Sequence, residues 1–592
     1  MRLSTLFLAV MLGVSGAQAA ELSLKLTGEA PEGLHEELRA ASLTFSANAD
    51  AASTTQDLIA AARADYARLV GVLYGRAYYG PVIHIRIDGA EAAALPPFDG
   101  PHKVREIVIT VDPGQRFVFS RAEMAPLPKR VDLPEGFAAG QPAEADVIKA
   151  AAVAGVDGWR SAGHAKAALA GQRLLADHRK ATLAADLTLA PGPRVQFGDL
   201  VLHGESRVRD DRLHRIAGLP VGTIFDPHEL DRVANRLRRT GAFRSVVLTE
   251  SDQINPDGSM DIGLTVTDER PRRIGVGAEI SSQEGVGLSA HWMHRNFFGG
   301  AERLRFDAEI GGIGGQSGGE DYLLGASLTR PAAFGPDTSL RFAIAAQRLD
   351  EPDYIEEKLT AEAALRFHHI ENLEWGVGVG LRHSEVWDDL GARNFDLLLF
   401  PVVATWERRN STLNADDGFF INAEATPFLG LRGSASGARF YIDGRAYESF
   451  GADERLTAAA RVQLGSALGV GLSEIPPEML FYSGGGGTVR GQPYQSLGVD
   501  LGGGDSTGGR SFLGLSTELR YDVTDDWGVV GFADAGFVGR KALGGDGDWH
   551  SGAGLGLRYN TGIGPIRLDV AVPVSGSTSD GMQFYVGIGQ AF

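Results

Sequence analysis

Two serines stand in G-x-S-x-G frames, Ser317 in "GQSGG" and Ser506 in "GDSTG". That spacing can raise a nucleophile on a sharp turn, but the elbow needs a strand before it and a helix after it. Both serines sit in glycine-rich stretches between short alternating runs, so they read as turns. His291 and His294 in "HWMH" could suggest a metal, yet at i and i+3 on a strand they point to opposite faces. "GAGLGLRY" is glycine-rich, but no helix follows it, as a dinucleotide site would require. Asp416 and Asp417 read as a turn. None of these sets points to catalysis, a cofactor or a metal, and the chain is expected not to be an enzyme. One stretch is harder to dismiss. In "GGGGTVRGQP", Gly484 to Pro493, four glycines suggest slack, but Arg490 follows with a proline and a tyrosine behind it.

The elements that must position Arg490 begin with the compartment. "MRLSTLFLAVMLGVSGAQA" has a basic start, an apolar run from Leu3 to Val14, and Ala17-Gln18-Ala19 as a cleavage site, so residues 1–19 read as a secretory signal peptide. No later apolar run is long enough for a membrane-spanning helix. The 592 residues include 79 glycines and no cysteine, so packing and hydrogen bonds must hold the exported domains. The net charge of -19 argues against a nucleic-acid partner.

From Pro271 onward the sequence becomes a series of short alternating runs separated by Gly, Asp, Asn and Pro. In "ERLRFDAEIGG", Leu304, Phe306, Ala308 and Ile310 share one face, and Arg303, Arg305, Asp307 and Glu309 the other. About sixteen such runs recur, with room for roughly 10-residue strands and their turns. A soluble sandwich would also alternate, but the even count and the exported context favour a transmembrane 16-stranded antiparallel β-barrel over residues 271–592. Closure pairs every backbone N–H and C=O in hydrocarbon.

Residues 20–114, 115–192 and 193–270 read as three small periplasmic modules of β-α-α-β-β order. The third is the clearest. "RVQFGDLVLHG" is a strand, and two helices follow, the second with Asp226 as N-cap, Pro227 in its first turn and Gly241 as its stop. Two more strands close it. In the second module the pattern predicts helices at Ala145–Ala152 and Ser161–Ala170, then strands in "LADHRK" and "ATLAADLTLAPG". The first has helices at Glu36–Ser42 and Thr55–Tyr74 before two strands. Tandem modules of this kind form an extended arm.

Three such modules in front of a sixteen-stranded barrel resemble the BamA-type outer-membrane insertase superfamily, whose modules are called POTRA domains. The number of modules and the length resemble its TamA branch. The resemblance gives the opening stretch a role. The family carries an Arg-Gly motif at the tip of a long loop between strands eleven and twelve, and Val489, Arg490 and Gly491 match it. There the loop folds into the barrel and its arginine meets an acid on each of the next two strands. The matching positions are Glu518 in "STELRY" and Asp534 in "GFADAG". Gln492 stands where the family places an aromatic, and Tyr494 is the aromatic nearest by. "FYVGIGQAF", ending at Phe592, is similar to the signal by which barrels are recognised for assembly.

The resemblance implies an outer-membrane assembly factor that inserts or translocates β-barrel and autotransporter-type proteins. Its partners would be the lipid bilayer, unfolded outer-membrane protein substrates, and a TamB-like protein anchored in the inner membrane. Insertion would proceed at a seam between the first strand, near Ile274, and the last, Phe584–Phe592, with Val586, Gly587 and Ile588 in it. The alternative is a two-partner-type secretion pore that exports a dedicated protein through the lumen.

Overall fold

The computed structural model describes residues 20–28, 30, 31, 33–50, 52–96, 103–281, 285–315, 318–451, 453–562, 564–576 and 581–592. The expected signal peptide and Ser317 lie outside them. The chain divides into two compact units, Met1–Gly198 with Val221–Glu229 and Asp252–Met260, and Asp199–Pro220 with Leu230–Ser251 and Asp261–Phe592.

The first module begins with β1 (Glu21–Leu26), α1 (Leu34–Ala41), α2 (Leu43–Ala49) and α3 (Thr55–Gly75). β2 (Val82–Ile87), β3 (Ala90–Glu91) and β4 (Glu106–Asp112) complete it, in the sheet order β1-β4-β2-β3. Thr54 and Asp57 form a capping box that starts α3. The face of α3 carrying Ile59, Ala62, Leu69 and Leu73 is buried with Ile85, Ile107, Ile109 and Val111 of the sheet. α2 is an extra helix of about two turns, fixed because Asp65 accepts hydrogen bonds from the Leu43 and Thr44 amides.

The second module has β5 (Val118–Ala125), a single helix α4 (Ala145–Ser161), β6 (Ala168–Asp177) and β7 (Thr182–Ala190), in the order β5-β7-β6. The helix expected at Ser161–Ala170 is not there. α4 runs on to Ser161, and Gly163, at φ +98°, turns the chain out of the helix toward β6. β6 is an edge strand exposed along most of its length, so it carries no alternation for a reader of the sequence to find.

The third module holds the expected order: β8 (Gln196–His203), α5 (Asp210–Ala217), α6 (Pro227–Arg239), β9 (Phe243–Glu250) and β10 (Ser259–Asp268). Its sheet runs β8-β10-β9. Asp226 caps α6 by accepting the His228 amide at 3.0 Å.

The rest of the second unit is one antiparallel sheet. Its first strands are β11 (Arg272–Ser281), β12 (Gly285–His294), β13 (Arg303–Ile313), β14 (Asp321–Arg330) and β15 (Thr338–Glu351). β16 (Tyr354–Ile370), β17 (Leu373–Asp388), β18 (Gly391–Leu399), β19 (Val402–Glu407) and β20 (Gly418–Leu431) come next. β21 (Gly437–Phe450) and β22 (Leu456–Leu468) precede a small hairpin of β23 (Val499–Gly502) and β24 (Asp505–Thr507), which stands outside the large sheet. β25 (Ser511–Asp522), β26 (Trp527–Gly539), β27 (Gly547–Tyr559), β28 (Ile566–Ser575) and β29 (Gln583–Ile588) complete it.

The sheet is seventeen segments in sequence order. They occupy sixteen places, because β18 and β19 both pair with β17 and with β20. The break between β18 and β19 falls at Phe400-Pro401, where proline has no N–H for the ladder. The order ends at β11 on one side and β29 on the other, and these strands approach within 8 Å, Cα to Cα. Ile274, Val276, Phe306, Leu324 and Phe342 are exposed on one face. Glu518, Arg520, Asp534, Arg558 and Asp569 are buried on the other. Large apolar side chains in the open belong in a non-aqueous setting.

Candidate functional site: the inward loop and its anchor

The segment from Gly469 to Arg510 links β22 to β25, which pair directly with each other. It is not slack. Ile475, Met479, Leu480, Phe481, Leu497 and Val499 share a buried apolar cluster with Val386, Leu397, Phe428, Phe512 and Val538 of the sheet. Glu478 is held by Lys358 and by Arg382, the latter at 2.7 Å. Burial pushes this carboxyl up, but the two cations outweigh it and hold its pKa at about 2. The glycines form a tight turn. Gly484 and Gly485 take φ of +118° and +88°, and a Cβ on Gly484 would lie 2.0 Å from the Pro493 carbonyl. Thr488 Oγ1 accepts the Gly484 amide at 2.8 Å, and the Gly487 carbonyl accepts Arg461 Nη1 at 2.9 Å.

This turn delivers Arg490 to a buried position. Its Nε and Nη2 donate to Asp534 at 2.8 and 3.0 Å, and its Nη1 donates to Glu518 at 2.6 Å. Its backbone amide also donates to Asp534, at 3.1 Å. The guanidinium lies over the Phe532 ring, 3.6 Å from the centroid. A third carboxylate, Asp569 of β28, accepts from Nη1 at 3.4 Å, and sequence reasoning missed it. The available signal was the Arg567, Asp569 alternation in "GPIRLDVAV", which puts both side chains on the charged face of a strand. Burial works against the Arg490 charge. The Asp534 hydrogen bonds and the three carboxylates outweigh it and hold the pKa above the ordinary arginine value. Arg520 Nε donates to Glu518 at 2.8 Å and Arg558 Nη1 to Asp569 at 2.5 Å, so arginines also neutralise the acids from behind.

Val489 is fully buried. Gly491, at φ +90°, donates its amide to the Tyr585 hydroxyl of β29 at 3.0 Å. Gln492 completes the tip. It is fully buried, and its Nε2 donates to the Ser551 and Ser575 carbonyls of β27 and β28 at 2.8 and 3.0 Å. Tyr494 points elsewhere, with its hydroxyl 3.3 Å from Glu351 of β15. Gln492 itself therefore occupies the position where the resemblance places an aromatic.

Beside the tip, His550 Nε2 lies 2.7 Å from Ser483 Oγ. Among the described residues no group hydrogen-bonds His550 Nδ1, so the pair lacks the orienting acid of a catalytic triad. Ser506 is bonded to Asp353 at 2.9 Å in the β23–β24 hairpin, with no helix behind it. Among the described residues no group of His, Asp and Glu is placed to hold a metal.

The residues expected at the seam separate into two places. Phe584, Val586 and Ile588 are exposed along β29, as Ile274 is on β11, while Gly587 pairs with Arg567. Phe592 lies beyond the strand. Gly589, at φ +90°, turns the chain, and Phe592 is buried with Tyr447 and Ala459. Its carbonyl accepts Arg520 Nη2 at 3.2 Å. Arg520 thus ties the chain end to Glu518, the same acid that holds Arg490.

A large antiparallel sheet, apolar on its open face and charged on the other, with a loop anchored to the charged face, has the build of an outer-membrane β-protein. The chain belongs to the Omp85 superfamily: residues 296–592 match the Omp85 superfamily domain. Residues 195–267 match POTRA, the surface antigen variable number repeat. This membership places the sheet in the outer membrane and the POTRA module in the periplasm. Among solved structures, BamA from Haemophilus ducreyi lacking POTRA domains 1–3 is 18% identical, aligned over 79% of this chain and 98% of its own, with a TM-score of 0.59. CdiB from Acinetobacter baumannii is 12% identical over 80% of this chain and 89% of its own, with a TM-score of 0.50. At these identities the likeness is one of fold.

Proposed function

We propose that the chain is a non-enzymatic assembly factor of the TamA kind, which inserts or translocates β-barrel and autotransporter-type proteins at the outer membrane. The sheet closes through β11 and β29 into a sixteen-stranded barrel in lipid, with three periplasmic modules in front of it. Clients arrive as unfolded outer-membrane proteins and add strands at the β11–β29 seam, so their backbone groups are never left unpaired in hydrocarbon. A TamB-like partner, anchored in the inner membrane, docks on the third module by adding a strand to its sheet. The energy comes from client folding or from the partner.

The observation that carries this reading is the packed loop. Residues 469–510 set an apolar cluster and a buried arginine against the charged face of the sheet. A secretion pore would have to expel that packing to pass a chain, whereas insertion at the sheet edge leaves it in place. The chain has no cysteine, so a cysteine pair engineered across β11 and β29 would be its only thiols. Oxidising that pair should stop client assembly and reduction should restore it. Normal assembly with the seam locked would overturn the reading and favour export through the lumen.

A further inference from the structure

Near the third module, arginines outnumber the acids that could neutralise them. A cavity of about 600 Å³ in the second unit is walled by the charged face of β13 to β17 and by residues from the end of α6. Most of its cations are already engaged. Arg305 donates to Asp307 at 2.7 Å, Arg366 lies 3.6 Å from Glu374, and Arg236 and Arg239 share Asp337. Arg303 of β13 and Arg341 of β15 have no acidic partner within ion-pair distance among the described residues. The like charges that act most on Arg303 are Arg305, Arg341 and Arg295, and the acid that acts on it most is Glu374.

Register makes these two arginines a pair. Arg303 lies opposite Thr329 of β14, and Thr329 lies opposite Arg341, so the three form one row across three strands. Strands are spaced about 4.8 Å apart, which sets the two arginine Cα atoms roughly 10 Å apart with a hydroxyl between them. Ser327 and Ser339 line the same cavity. Two like charges held in one row repel each other unless an anion sits between them. A guanidinium presents a planar fork that suits oxyanions, and hydroxyls supply the donors for the remaining oxygens. Most of the lining comes from strands that are paired on both sides, so it offers no sheet edge to a peptide.

We propose that the Arg303–Thr329–Arg341 row binds a phosphate-bearing anion, either free or as the headgroup of a lipid. The full chain, purified in neutral detergent, is titrated calorimetrically with inorganic pyrophosphate at constant ionic strength. Mixed micelles containing phosphatidic acid or diacylglycerol form the second arm. Pyrophosphate should bind saturably and raise the melting temperature of the unaltered chain, where chloride at equal ionic strength does not. Arg303→Gln and Arg341→Gln should each weaken binding by about tenfold or more. Arg455→Gln, a change at an exposed arginine far along the chain, should bind as the parent does. Both variants at the row should keep heat-modifiable migration and melt no lower without ligand, because each removes one of two like charges in the row and no ion pair. Binding of phosphatidic acid but not diacylglycerol identifies a headgroup as the source, and binding of pyrophosphate alone identifies a free anion. No saturable binding of either probe, or undiminished binding in the double variant, overturns the proposal.

Discussion

Arg490 and Asp534 form a bidentate pair, Nε and Nη2 each donating to one carboxylate oxygen at 2.8 and 3.0 Å, with both side chains almost fully buried. The Arg490 backbone amide adds a third bond to the same acid. The fork fixes the orientation of the loop tip as well as its position, which a point charge could not do.

Arg490→Ala should therefore destabilise the docked loop by about 3–5 kcal/mol, since Asp534 and Glu518 lose a buried partner. Arg490→Lys keeps the charge and loses the fork, so it should recover only part of the loss. Limited proteolysis of the segment 484–493 and the midpoint of denaturant unfolding check both. An uncleaved loop in Arg490→Ala would show that the apolar cluster around Phe481 holds it alone.

Two glycines make room for the tip. A Cβ on Gly552 of β27 would lie 1.9 Å from the Arg490 carbonyl, and one on Gly491 would lie 2.6 Å from the Val572 carbonyl. Both contacts are with backbone, which cannot swing aside. Gly552→Ala should displace the tip as strongly as Arg490→Ala does, although it alters no charge and no loop residue. Gly556→Ala is the comparison: its Cβ would meet the Asp569 and Arg558 side chains, so it should disturb the acids rather than the tip's backbone. Equal proteolytic protection in Gly552→Ala and the parent would show that β27 yields.

The strands were readable because each has one face open and one charged, which writes period two into the sequence. The helices of the third module were readable from caps, as at Asp226. Other features had no local signature. β6 is exposed on both faces and so shows no pattern, and the role of Gly552 depends on a carbonyl sixty-odd residues earlier in the chain. Asp569 meets Arg490 only because four strands bring it round. The burial of Phe592 follows from Gly589 and from Arg520, seventy-two residues before the chain end. Gln492 read as a departure from a family pattern, yet its amide makes two hydrogen bonds that an aromatic ring could not.

Gln492→Leu tests that substitution. It would leave the Ser551 and Ser575 carbonyls without the Gln492 donor, at a cost of about 1–3 kcal/mol. The loss should appear as faster hydrogen exchange at the loop tip and at β27 and β28, with the other strands unchanged. Gln492→Phe should be no better, because the site is filled by an amide that spans two carbonyls. If Gln492→Phe matched the parent in exchange and in unfolding midpoint, packing rather than hydrogen bonding would hold the tip.

Asp337, in the turn before β15, accepts Arg236 Nε and Nη2 at 2.9 and 2.6 Å and Arg239 Nη2 at 3.1 Å, which fastens the end of α6 to that turn. Burial raises this carboxyl, but the two arginines outweigh it and bring its pKa below the ordinary aspartate value. A carboxyl depressed in the native state contributes stability above the unfolded pKa and loses it as pH falls through the native one. Between pH 6 and pH 3 the parent should therefore lose more stability than Asp337→Asn, whose contribution at this site does not titrate. At pH 6 the variant should be the weaker by about 1–3 kcal/mol, because Arg236 is left with its guanidinium largely buried and its main acceptor gone. Melting curves of both proteins across that range check the sign. Parallel curves would mean that the ion pair contributes nothing to the attachment of α6, and that the Ala217 and Gly218 carbonyls, which also accept from Arg236, are enough to hold it.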